Sequence, residues 1–305
     1  MKLALLFPGQ GSQAVGMGRA LAAISGAARQ VFDEADAVLG FPLSRLCFEG
    51  PEEELRMTVN TQPAILAHSI AALRDLEARF PHRLDGAAFA AGHSLGEYSA
   101  NVAVGALSFA DALRLVRERG RFMQEAVPAG VGSMAAIVGL PPEEVEAACA
   151  EVAGGEIVAP ANFNSPEQTV IAGHAAAVGR ACERCTARGA KRAIPLPVSA
   201  PFHCALMAPA RERMRPLLEA AEMRDGRLPV VTNVDATPVS RPAQLRDALL
   251  RQIDSPVRWV ESVRRLAADG VDRVIEIGRG TVLSGLVKRI DRSIRLESYA
   301  TPLIQ

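Results

Sequence analysis

The sequence FAAGHSLGEYSA, residues 89–100, places one serine between two glycines where a strand pattern changes into a helix pattern. Residues 85–92 are rich in alanine, which favours a buried strand, and the residues from Leu95 onward favour a helix. The flanking glycines relieve the crowding of a sharp turn around Ser94. The pattern predicts a nucleophilic Ser94, with the Leu95 amide placed to stabilise an oxyanion. A chance GxSxG is the alternative, and the motif alone fits esterases, lipases and acyl transferases equally.

A nucleophilic serine needs a base, and the chain contains five histidines. His203 follows the serine in the chain and lies just past a predicted strand, in the kind of loop that carries catalytic groups. We favour His203 over the others; His93 adjoins the serine, but neighbouring side chains at a sharp turn point apart. No acid completes a triad by its spacing, and a backbone carbonyl bonded to Nδ1 is an equally good partner. The candidate acids, each of which also suits a surface or capping position, are Asp235, Asp254 and Glu276.

Arg119 lies on the apolar side of a predicted helix. At 100° per residue, most other charged side chains of the helix 109–126 share one side, and Arg119 lies opposite them. A buried guanidinium is costly unless it is paired. One interpretation is a structural ion pair, or an arginine that snorkels from the core. The other is a fork that binds a substrate carboxylate through two hydrogen bonds, and the pattern does not choose between them.

The segment FPGQGSQ, residues 7–13, is a glycine turn that follows the first predicted strand. The next glycine comes at Gly16, so the G-x-G-x-x-G spacing of a dinucleotide loop fails. We therefore expect no cofactor at this turn. We predict instead a tight turn that offers a second backbone amide to the oxyanion.

The composition limits the classes of protein to which the chain can belong. Lys plus Arg and Asp plus Glu both number 34, and this balance argues against nucleic acid as a partner. No apolar run reaches the ~18 residues of a membrane span, so we expect no membrane partner. Five scattered cysteines fit a reducing cytoplasm. Cys182 and Cys185 share a predicted helix with no second pair, which favours packing over a metal or redox site.

Strand and helix patterns alternate along most of the chain, which predicts an α/β fold with a mostly parallel sheet covered on both faces. Between residues 128 and 198 the order becomes strand, helix, strand, strand, helix, strand, as in a split ferredoxin-like unit. The larger pattern resumes afterwards. We therefore predict a small domain at 128–198, inserted into a large domain formed by residues 1–127 and 199–305.

Longer motifs resemble the malonyl-CoA:acyl carrier protein transacylase family nearly from end to end. They are FPGQGSQ at 7–13, TQPA at 61–64, GHSLGEYSA at 92–100, RLVRERGRFMQEAVP at 114–128, NFNSP at 162–166, IAGH at 171–174, KRAIPLPVSAPFHCALM at 191–207 and RQIDSPVRW at 251–259. The resemblance implies a hydrolase-like large domain, a ferredoxin-like small domain and a cleft between them for an acyl thioester. One departure is Arg279, which stands where the family usually has proline and so frees φ at that turn.

The resemblance also implies roles for single residues of the reaction centre. Ser94 is the residue that becomes acylated, and His203 is its base. The backbone amides of Gln10 and Leu95 form the oxyanion hole. The backbone carbonyl of Gln252 orients the histidine, which would explain why no acid is evident.

Substrate binding is expected to involve three further side chains. By the resemblance, Arg119 binds the malonyl carboxylate, and Asn164 lies in a motif that lines the cleft. Phe202 adjoins His203, and from its bulk we expect it to crowd the malonyl C2 position. This crowding would disfavour a methyl branch by ~1–3 kcal/mol.

The activity implied is transfer of a malonyl group from coenzyme A to the phosphopantetheine thiol of acyl carrier protein, for fatty acid synthesis in the cytoplasm. The coenzyme A thioester is a substrate, and we expect no bound cofactor and no metal. The alternatives are an acyltransferase of a polyketide or malonate decarboxylase system, and a serine thioesterase or hydrolase. Carrier proteins are acidic, so Lys191-Arg192 and Lys288-Arg289 are candidate docking positions, with solvated surface charge as the alternative.

Overall fold

The structure is a computed structural model that describes residues 2–198 and 200–300. Its strands are β1 (Lys2–Phe7), β2 (Ala87–Gly92), β3 (Gly132–Val138), β4 (Val158–Ser165), β5 (Gln168–His174), β6 (Arg192–Pro195), β7 (Val230–Val231), β8 (Pro238–Val239), β9 (Val271–Ile277) and β10 (Arg295–Tyr299). Its helices are α1 (Arg19–Ile24), α2 (Gly26–Leu39), α3 (Leu43–Glu49), α4 (Glu52–Arg56), α5 (Thr58–Arg79), α6 (Gly96–Ala103), α7 (Phe109–Glu125), α8 (Pro142–Val152), α9 (Ala175–Ala187), α10 (Ala208–Ala220), α11 (Pro242–Arg251), α12 (Trp259–Ala268) and α13 (Val282–Ile290). No helix in these ranges is long and apolar enough to cross a membrane.

The larger sheet has six strands in the order β10-β9-β1-β2-β7-β8. Its first five strands are parallel, and only β8 runs antiparallel to its neighbour. Alternate residues of β1 enter two different apolar cores: Leu3, Leu5 and Phe7 face one, and Ala4 and Leu6 face the other. Because successive strand residues point to opposite faces, both faces of the sheet are covered. The predicted α/β fold with a mostly parallel sheet is confirmed.

The smaller sheet is antiparallel, with the order β4-β5-β3-β6. One face packs against α8 and α9 through residues such as Ile137 and Ile171. The other face adds Met134 and Val170 to the main core. The chain order β3-α8-β4-β5-α9-β6 is the order that the sequence predicts. The predicted domain boundaries remain a prediction, and their limits at residues 1, 199 and 305 lie outside the described residues.

Backbone hydrogen bonds join the small sheet to the loop that precedes α12. The Val257 amide donates to the Ala161 carbonyl at 2.9 Å, and the Phe163 amide donates to the Val257 carbonyl at 2.9 Å. Val257 lies just before α12, at the end of the large sheet where the parallel strands finish. The small sheet is thereby held over the carboxyl ends of those strands, where the active residues of open α/β sheets usually lie.

The cysteines of α9 serve packing, as the sequence predicts. Cys185 is buried in the core between α9 and the small sheet, and Cys182 packs against that core. Burial raises the pKa of both thiols, which leaves them as weak nucleophiles. Over residues 2–198 and 200–300 there is no group of three or more metal-ligating side chains that could hold an ion.

Candidate active site

Ser94 occupies a strained turn between β2 and α6. Its φ of 52° lies in the left-handed region, which is uncommon for a residue with a side chain. A Cβ on Gly92 would lie 2.0 Å from the Gly96 backbone, and one on Gly96 would lie 2.1 Å from the Phe7 carbonyl oxygen. Glycine is therefore required at both positions, as the sequence predicts. The turn exposes the serine hydroxyl above the sheet.

Asn233 holds this turn from below. Its Oδ1 accepts a 2.7 Å hydrogen bond from the Ser94 amide, and its Nδ2 donates to the Gly92 carbonyl at 2.7 Å. The side chain is fully buried, on the chain segment that follows β7. A single planar amide therefore satisfies the donor of the strained residue and an acceptor two residues before it. The sequence analysis did not identify Asn233, because it lies 139 residues from Ser94 in no motif of its own.

His203 is the base that contacts Ser94. Its Nε2 lies 2.7 Å from the Ser94 hydroxyl oxygen, and its Nδ1 lies 2.9 Å from the Gln252 carbonyl oxygen. That carbonyl can only accept, so it places the proton on Nδ1 and leaves Nε2 free to accept the serine proton. Burial and the charge of Arg119 lower the pKa of His203 to about 3, so the ring is neutral at pH 7.

The three candidate acids lie elsewhere and have structural partners. Asp235 binds Arg251 through two hydrogen bonds, at 3.0 and 2.6 Å. Asp254 pairs with Arg211 at 3.1 Å. Glu276 caps the start of α13 through the backbone amides of residues 283 and 284. The structure therefore favours a Ser–His pair oriented by a backbone carbonyl over a triad with an acid.

Arg119 faces the interior from α7 and is only 1% exposed. It donates to Gln62 Oε1 at 2.8 Å, to Gln252 Oε1 at 2.7 Å and to Ser94 Oγ at 3.3 Å. Its hydrogen-bond acceptors among the described residues are thus two amide oxygens and a hydroxyl, and none is a carboxylate. Its Nε is buried without a partner in the same part of the chain. A guanidinium held by neutral amides beside the nucleophile keeps its charge for a ligand.

Two cavities meet above the serine. One of about 130 Å³ is lined by Ser94, Arg119, His203 and Phe202, together with apolar residues of α7, β3 and the segment after β6. The other, of about 250 Å³, extends along the FPGQGSQ turn and Asn164. The two cavities share lining residues, namely Gln10, His93, Asn162 and Leu196. A small acyl group fits the inner cavity, and an extended arm fits the outer one.

The turn that carries Gln10 packs directly against the serine turn. A Cβ on Gly9 would lie 2.4 Å from the His93 carbonyl oxygen, and the His93 amide donates to the Phe7 carbonyl at 3.1 Å. Gln10 lines both cavities, and Leu95 lies between Ser94 and the start of α6. That their backbone amides stabilise an oxyanion remains a prediction.

His93 and Asn164 both line the outer cavity. His93 Nε2 lies 2.8 Å from Asn164 Oδ1, so the ring turns away from Ser94, as expected of neighbours at a sharp turn. Burial lowers the pKa of His93, and the ring donates to the amide oxygen in its neutral form. This histidine lines both cavities, a role that the sequence analysis did not assign to it.

Glu97 and Gln62 are further polar residues of the site that sequence reasoning missed. Glu97 Oε2 accepts from Gln252 Nε2 at 2.7 Å and from the Asn233 amide at 3.1 Å. Burial raises the pKa of Glu97 to about 7. Glu97 lies within the motif GHSLGEYSA and Gln62 within TQPA. Their presence in these motifs is the feature of the sequence that could have pointed to a role in the site.

The departure at Arg279 leaves the reaction centre intact. Gly278 and Gly280, on either side of it, both have positive φ, at 134° and 91°. The Arg279 side chain is exposed, and its Nη1 donates to the Ser12 carbonyl at 3.4 Å. The side chain thus contacts the turn that carries Gln10 rather than the serine or its base.

Comparison with known proteins relates this site to a family. The sequence pattern of the acyl transferase domain matches residues 4–298. The malonyl CoA-acyl carrier protein transacylase of Escherichia coli O157:H7 is 51% identical over 301 residues, with 99% of this chain and 96% of the relative covered. That of Bacillus subtilis strain 168 is 49% identical, with 99% and 94% covered.

Solved structures agree with these relatives. A Vibrio cholerae acyl carrier protein S-malonyltransferase has a TM-score of 0.95 and 49% identity, with 99% of this chain and 98% of that chain covered. A malonyl-transacylase in complex with its type II polyketide acyl carrier protein has a TM-score of 0.96 and 48% identity, with 99% and 97% covered. From its sequence, its fold and the geometry of its serine site, this chain belongs to the acyl transferase domain family.

Proposed function

We propose that this protein transfers a malonyl group from coenzyme A to the phosphopantetheine thiol of acyl carrier protein, in fatty acid synthesis. The observation that carries the proposal is the contact of one hydroxyl, Ser94 Oγ, with both a neutral histidine and a buried arginine. A hydrolase needs the first contact and has no use for the second. The two relatives named above, which are 51% and 49% identical to this chain, are both malonyl CoA-acyl carrier protein transacylases.

In the first half-reaction, Ser94 Oγ attacks the thioester carbonyl while His203 Nε2 takes the hydroxyl proton. The amides of Gln10 and Leu95 stabilise the oxyanion of the tetrahedral intermediate. The carbon–sulfur bond then breaks, and the coenzyme A sulfur leaves with the proton held by His203. The product is a malonyl ester on Ser94.

In the second half-reaction, the carrier thiol enters by the outer cavity and gives its proton to His203. The resulting thiolate attacks the ester carbonyl, the same two amides stabilise the oxyanion, and the bond to Ser94 Oγ breaks. His203 returns the proton to the serine. The chain is therefore regenerated, and no cofactor is needed for any step.

Arg119 selects the acyl group by its charge. A malonyl carboxylate next to the guanidinium forms charge-assisted hydrogen bonds that acetyl cannot form. The malonyl carboxylate also offsets the positive charge of Arg119, which lowers the pKa of His203. The bound substrate therefore raises the pKa of His203 and makes this histidine a stronger base. Phe202 lines the same cavity and is 8% exposed, in a position to limit branching at C2.

The finer description of the fold is also part of the proposal. The strand order β4-β5-β3-β6, with two helices on one face, supports a ferredoxin-like small domain at 128–198. The parallel sheet with a serine turn after β2 supports a hydrolase-like large domain formed by 1–127 and 199–305. The described cysteines are free thiols, which supports a cytoplasmic location.

Basic residues at β6 and at the end of α13 form a docking surface for the acidic carrier. Lys191 and Arg192 lie beside Arg289 and Arg292 around one cavity of about 430 Å³, with Glu167 as its only acidic lining residue. Both residues of the predicted pair Lys191-Arg192 and Arg289 of the second pair thus contribute to a single surface, whereas Lys288 does not line this cavity. Positive charge from four side chains would speed the encounter with an acidic partner.

Intact-mass measurement of the acylated enzyme tests the proposed function. The protein is mixed with malonyl-CoA, methylmalonyl-CoA and acetyl-CoA in parallel, and the adduct is quantified at short times. We expect one malonyl adduct, absent in Ser94→Ala, and slower labelling by the other two thioesters. A protein that forms no malonyl adduct, or that labels equally with acetyl-CoA, would refute the proposal.

A type II polyketide carrier is a second candidate acceptor, because one of the similar structures was solved with such a carrier. The two acceptors are distinguished by offering the malonyl enzyme a fatty acid carrier and a polyketide carrier side by side. A higher kcat/KM for the fatty acid carrier supports fatty acid synthesis. The reverse preference would reassign the pathway and leave the chemistry unchanged.

A further inference from the structure

The side-chain amide of Gln252 lies between a buried guanidinium and a buried carboxyl group. Arg119 Nη2 donates to its Oε1 at 2.7 Å, and its Nε2 donates to Glu97 Oε2 at 2.7 Å. Arg119 is 1% exposed, and the other two side chains are fully buried. A guanidinium can only donate and a carboxylate can only accept, so one orientation of the amide satisfies both. The charged neighbours therefore help to fix the amide, and its Nε2 also donates to the Ser94 carbonyl at 2.9 Å.

This spacing leaves the arginine free to bind a ligand. A carboxylate in direct contact with Arg119 would use the fork of N–H groups that a substrate carboxylate needs. With no anion nearby, the buried cation would lack compensation. Glu97 lies one amide away, so its ionised form, which predominates above its pKa of about 7, offsets the charge without competing for the same donors. The arginine keeps a buried Nε with no partner among the described residues, which is consistent with unused donor capacity.

Glu97 is itself held in place by two backbone features. It lies in the first turn of α6, where the helix dipole favours a negative side chain. Its Oε2 also accepts a 3.1 Å hydrogen bond from the Asn233 amide, on the segment whose side chain holds the serine turn. The carboxylate thus has a fixed position relative to Ser94, three residues before it.

We propose that Glu97 is a positioning residue for recognition of the substrate carboxylate, acting on Arg119 through the side chain of Gln252. The inference rests on the proposed malonyl transfer and deepens it. Gln252 then has two separate duties: its backbone carbonyl orients His203, and its side chain separates the two buried charges. The amide is needed because it is neutral and because it can donate on one side and accept on the other.

Exchanging the two side chains tests the spacing. The double variant Glu97→Gln with Gln252→Glu keeps composition, volume and total charge, and it leaves the backbone carbonyl at 252 in place. The exchanged carboxylate would pair directly with Arg119 and compete with the substrate. We expect the ratio of malonyl-CoA to acetyl-CoA labelling rates to fall about 100-fold, the scale of a misplaced binding group. A ratio equal to that of the wild type would overturn the proposal.

A double-mutant cycle keeps the proposal testable if the exchanged variant does not fold. Glu97→Gln alone should lower the labelling ratio about 10-fold, and it should have no further effect on the ratio in an Arg119→Ala background. A merely structural role would slow both thioesters equally, or give additive effects in the cycle, and either result would overturn the proposal. Asp75→Asn is the matched control. It neutralises another buried carboxylate, which binds Tyr299, and should leave the ratio unchanged.

These results are separable from a failure of the proposed function. If the wild-type protein forms no malonyl adduct, the malonyl transfer itself is wrong. If the wild type is labelled with malonyl and the variants keep its ratio, malonyl transfer stands and only the role of Glu97 is wrong.

Discussion

The turns that follow β2 and β9 both lie at the carboxyl ends of the parallel strands of the large sheet, but they differ in which residues take the left-handed angles. Both strands flank β1, and both lead directly into a helix. After β2 the positive φ falls on Ser94, and a Cβ on Gly96 would come within 2.1 Å of the Phe7 carbonyl oxygen. After β9 the positive φ values fall on Gly278 and Gly280; a Cβ on Gly280 would meet nothing within 4 Å, whereas one on Gly278 would lie 2.7 Å from the Ser69 hydroxyl oxygen.

The difference shows where this fold holds strain. The turn after β9 gives its unusual dihedral angles to glycine, and its carboxylate, Glu276, accepts hydrogen bonds on both oxygens from the start of α13. The turn after β2 gives a left-handed angle to a serine, at a cost of roughly 1–2 kcal/mol. The amide of Asn233 offsets that cost with two hydrogen bonds. The turn after β9 therefore places its left-handed angles on glycine. The turn after β2 places one on Ser94 and holds that residue in a conformation that presents a nucleophile.

The largest difference between the two turns should appear on adding one methyl group to each. Gly96→Ala forces a Cβ into the Phe7 carbonyl, so we expect labelling of Ser94 to slow ~100-fold or more and the free energy of unfolding to fall by roughly 3 kcal/mol or more. Gly280→Ala meets open space and costs only the positive φ, about 1–2 kcal/mol, with normal labelling. Urea denaturation and intact-mass kinetics measure both. Equal effects at the two positions would show that the serine turn is not specially crowded.

Removing the clamp tests whether the strain is held by Asn233. Asn233→Ala leaves a buried donor and a buried acceptor unpaired, so we expect the free energy of unfolding to fall by about 2–4 kcal/mol and labelling to slow roughly 10–100-fold. Asn101→Ala is the control, because Asn101 is also buried and donates to a backbone carbonyl within α6. It should lower stability and leave labelling nearly normal. If both variants slowed labelling alike, the clamp would be irrelevant to the nucleophile.

The pH dependence of labelling sharpens the electrostatic side of the comparison. The charge of Arg119 helps to lower the pKa of His203, and the ring must be neutral to act as a base. Removing a positive charge favours protonation, so Arg119→Ala should raise that pKa and move the acid limb of acetyl-CoA labelling to higher pH. Arg117→Ala, on the same helix but stacked on Phe41, should leave the limb in place. An acid limb that does not move in Arg119→Ala would contradict the assignment.

The same histidine affects stability with a definite sign. Its pKa is near 6.5 when unfolded and about 3 when folded, so between these values the unfolded chain binds more protons. The free energy of unfolding therefore rises with pH across this window, with at most about 1.4 kcal/mol per unit from one group. His203→Gln should reduce that slope in urea denaturation measured from pH 4 to pH 6.

The smallest effect concerns the docking surface. The helix after the β9 turn, α13, contributes Arg289 to this surface. Reversing Lys191 and Arg192 to glutamate should raise the KM for carrier protein roughly 3–10-fold and leave the KM for malonyl-CoA unchanged. Added salt should shrink the difference, because exposed charges are screened. Reversal of Arg45 and Arg56, elsewhere on the surface, is the control. An unchanged carrier KM would remove this surface from the docking site.

The parts of the site that could be predicted from the sequence are local. The serine turn and the glycines around it form one contiguous motif, and the element order of the small sheet follows from short-range patterns. The orientation of Arg119 was also predictable from helical periodicity. Its partners were not, because Gln62 and Gln252 lie 57 and 133 residues away. Periodicity shows which way a side chain faces, and not what it meets there.

The remaining misses have physical reasons. Residues 229–234 carry a strand pattern, yet only Val230–Val231 pair with the sheet. The residues that follow leave the ladder, and one of them, Asn233, bonds to the serine turn, so tertiary contacts override the local preference. Glu97 was missed because a glutamate in the first turn of a helix is already explained by capping. Its second purpose depends on two residues that are remote in sequence.

The backbone bonds at Val257 bear on how long an acyl group can wait on the serine. They join the edge strand β4 of the small sheet to the chain that leads into α12. The wall of the site above Ser94 is therefore held by main-chain hydrogen bonds and does not act as a mobile lid. Protection from water must then come from occupancy, first by the coenzyme A arm and next by the carrier arm. We expect the lifetime of the ester to depend on the interval between the two arms. The amides at 163 and 257 should exchange slowly with deuterium whether or not either arm is bound.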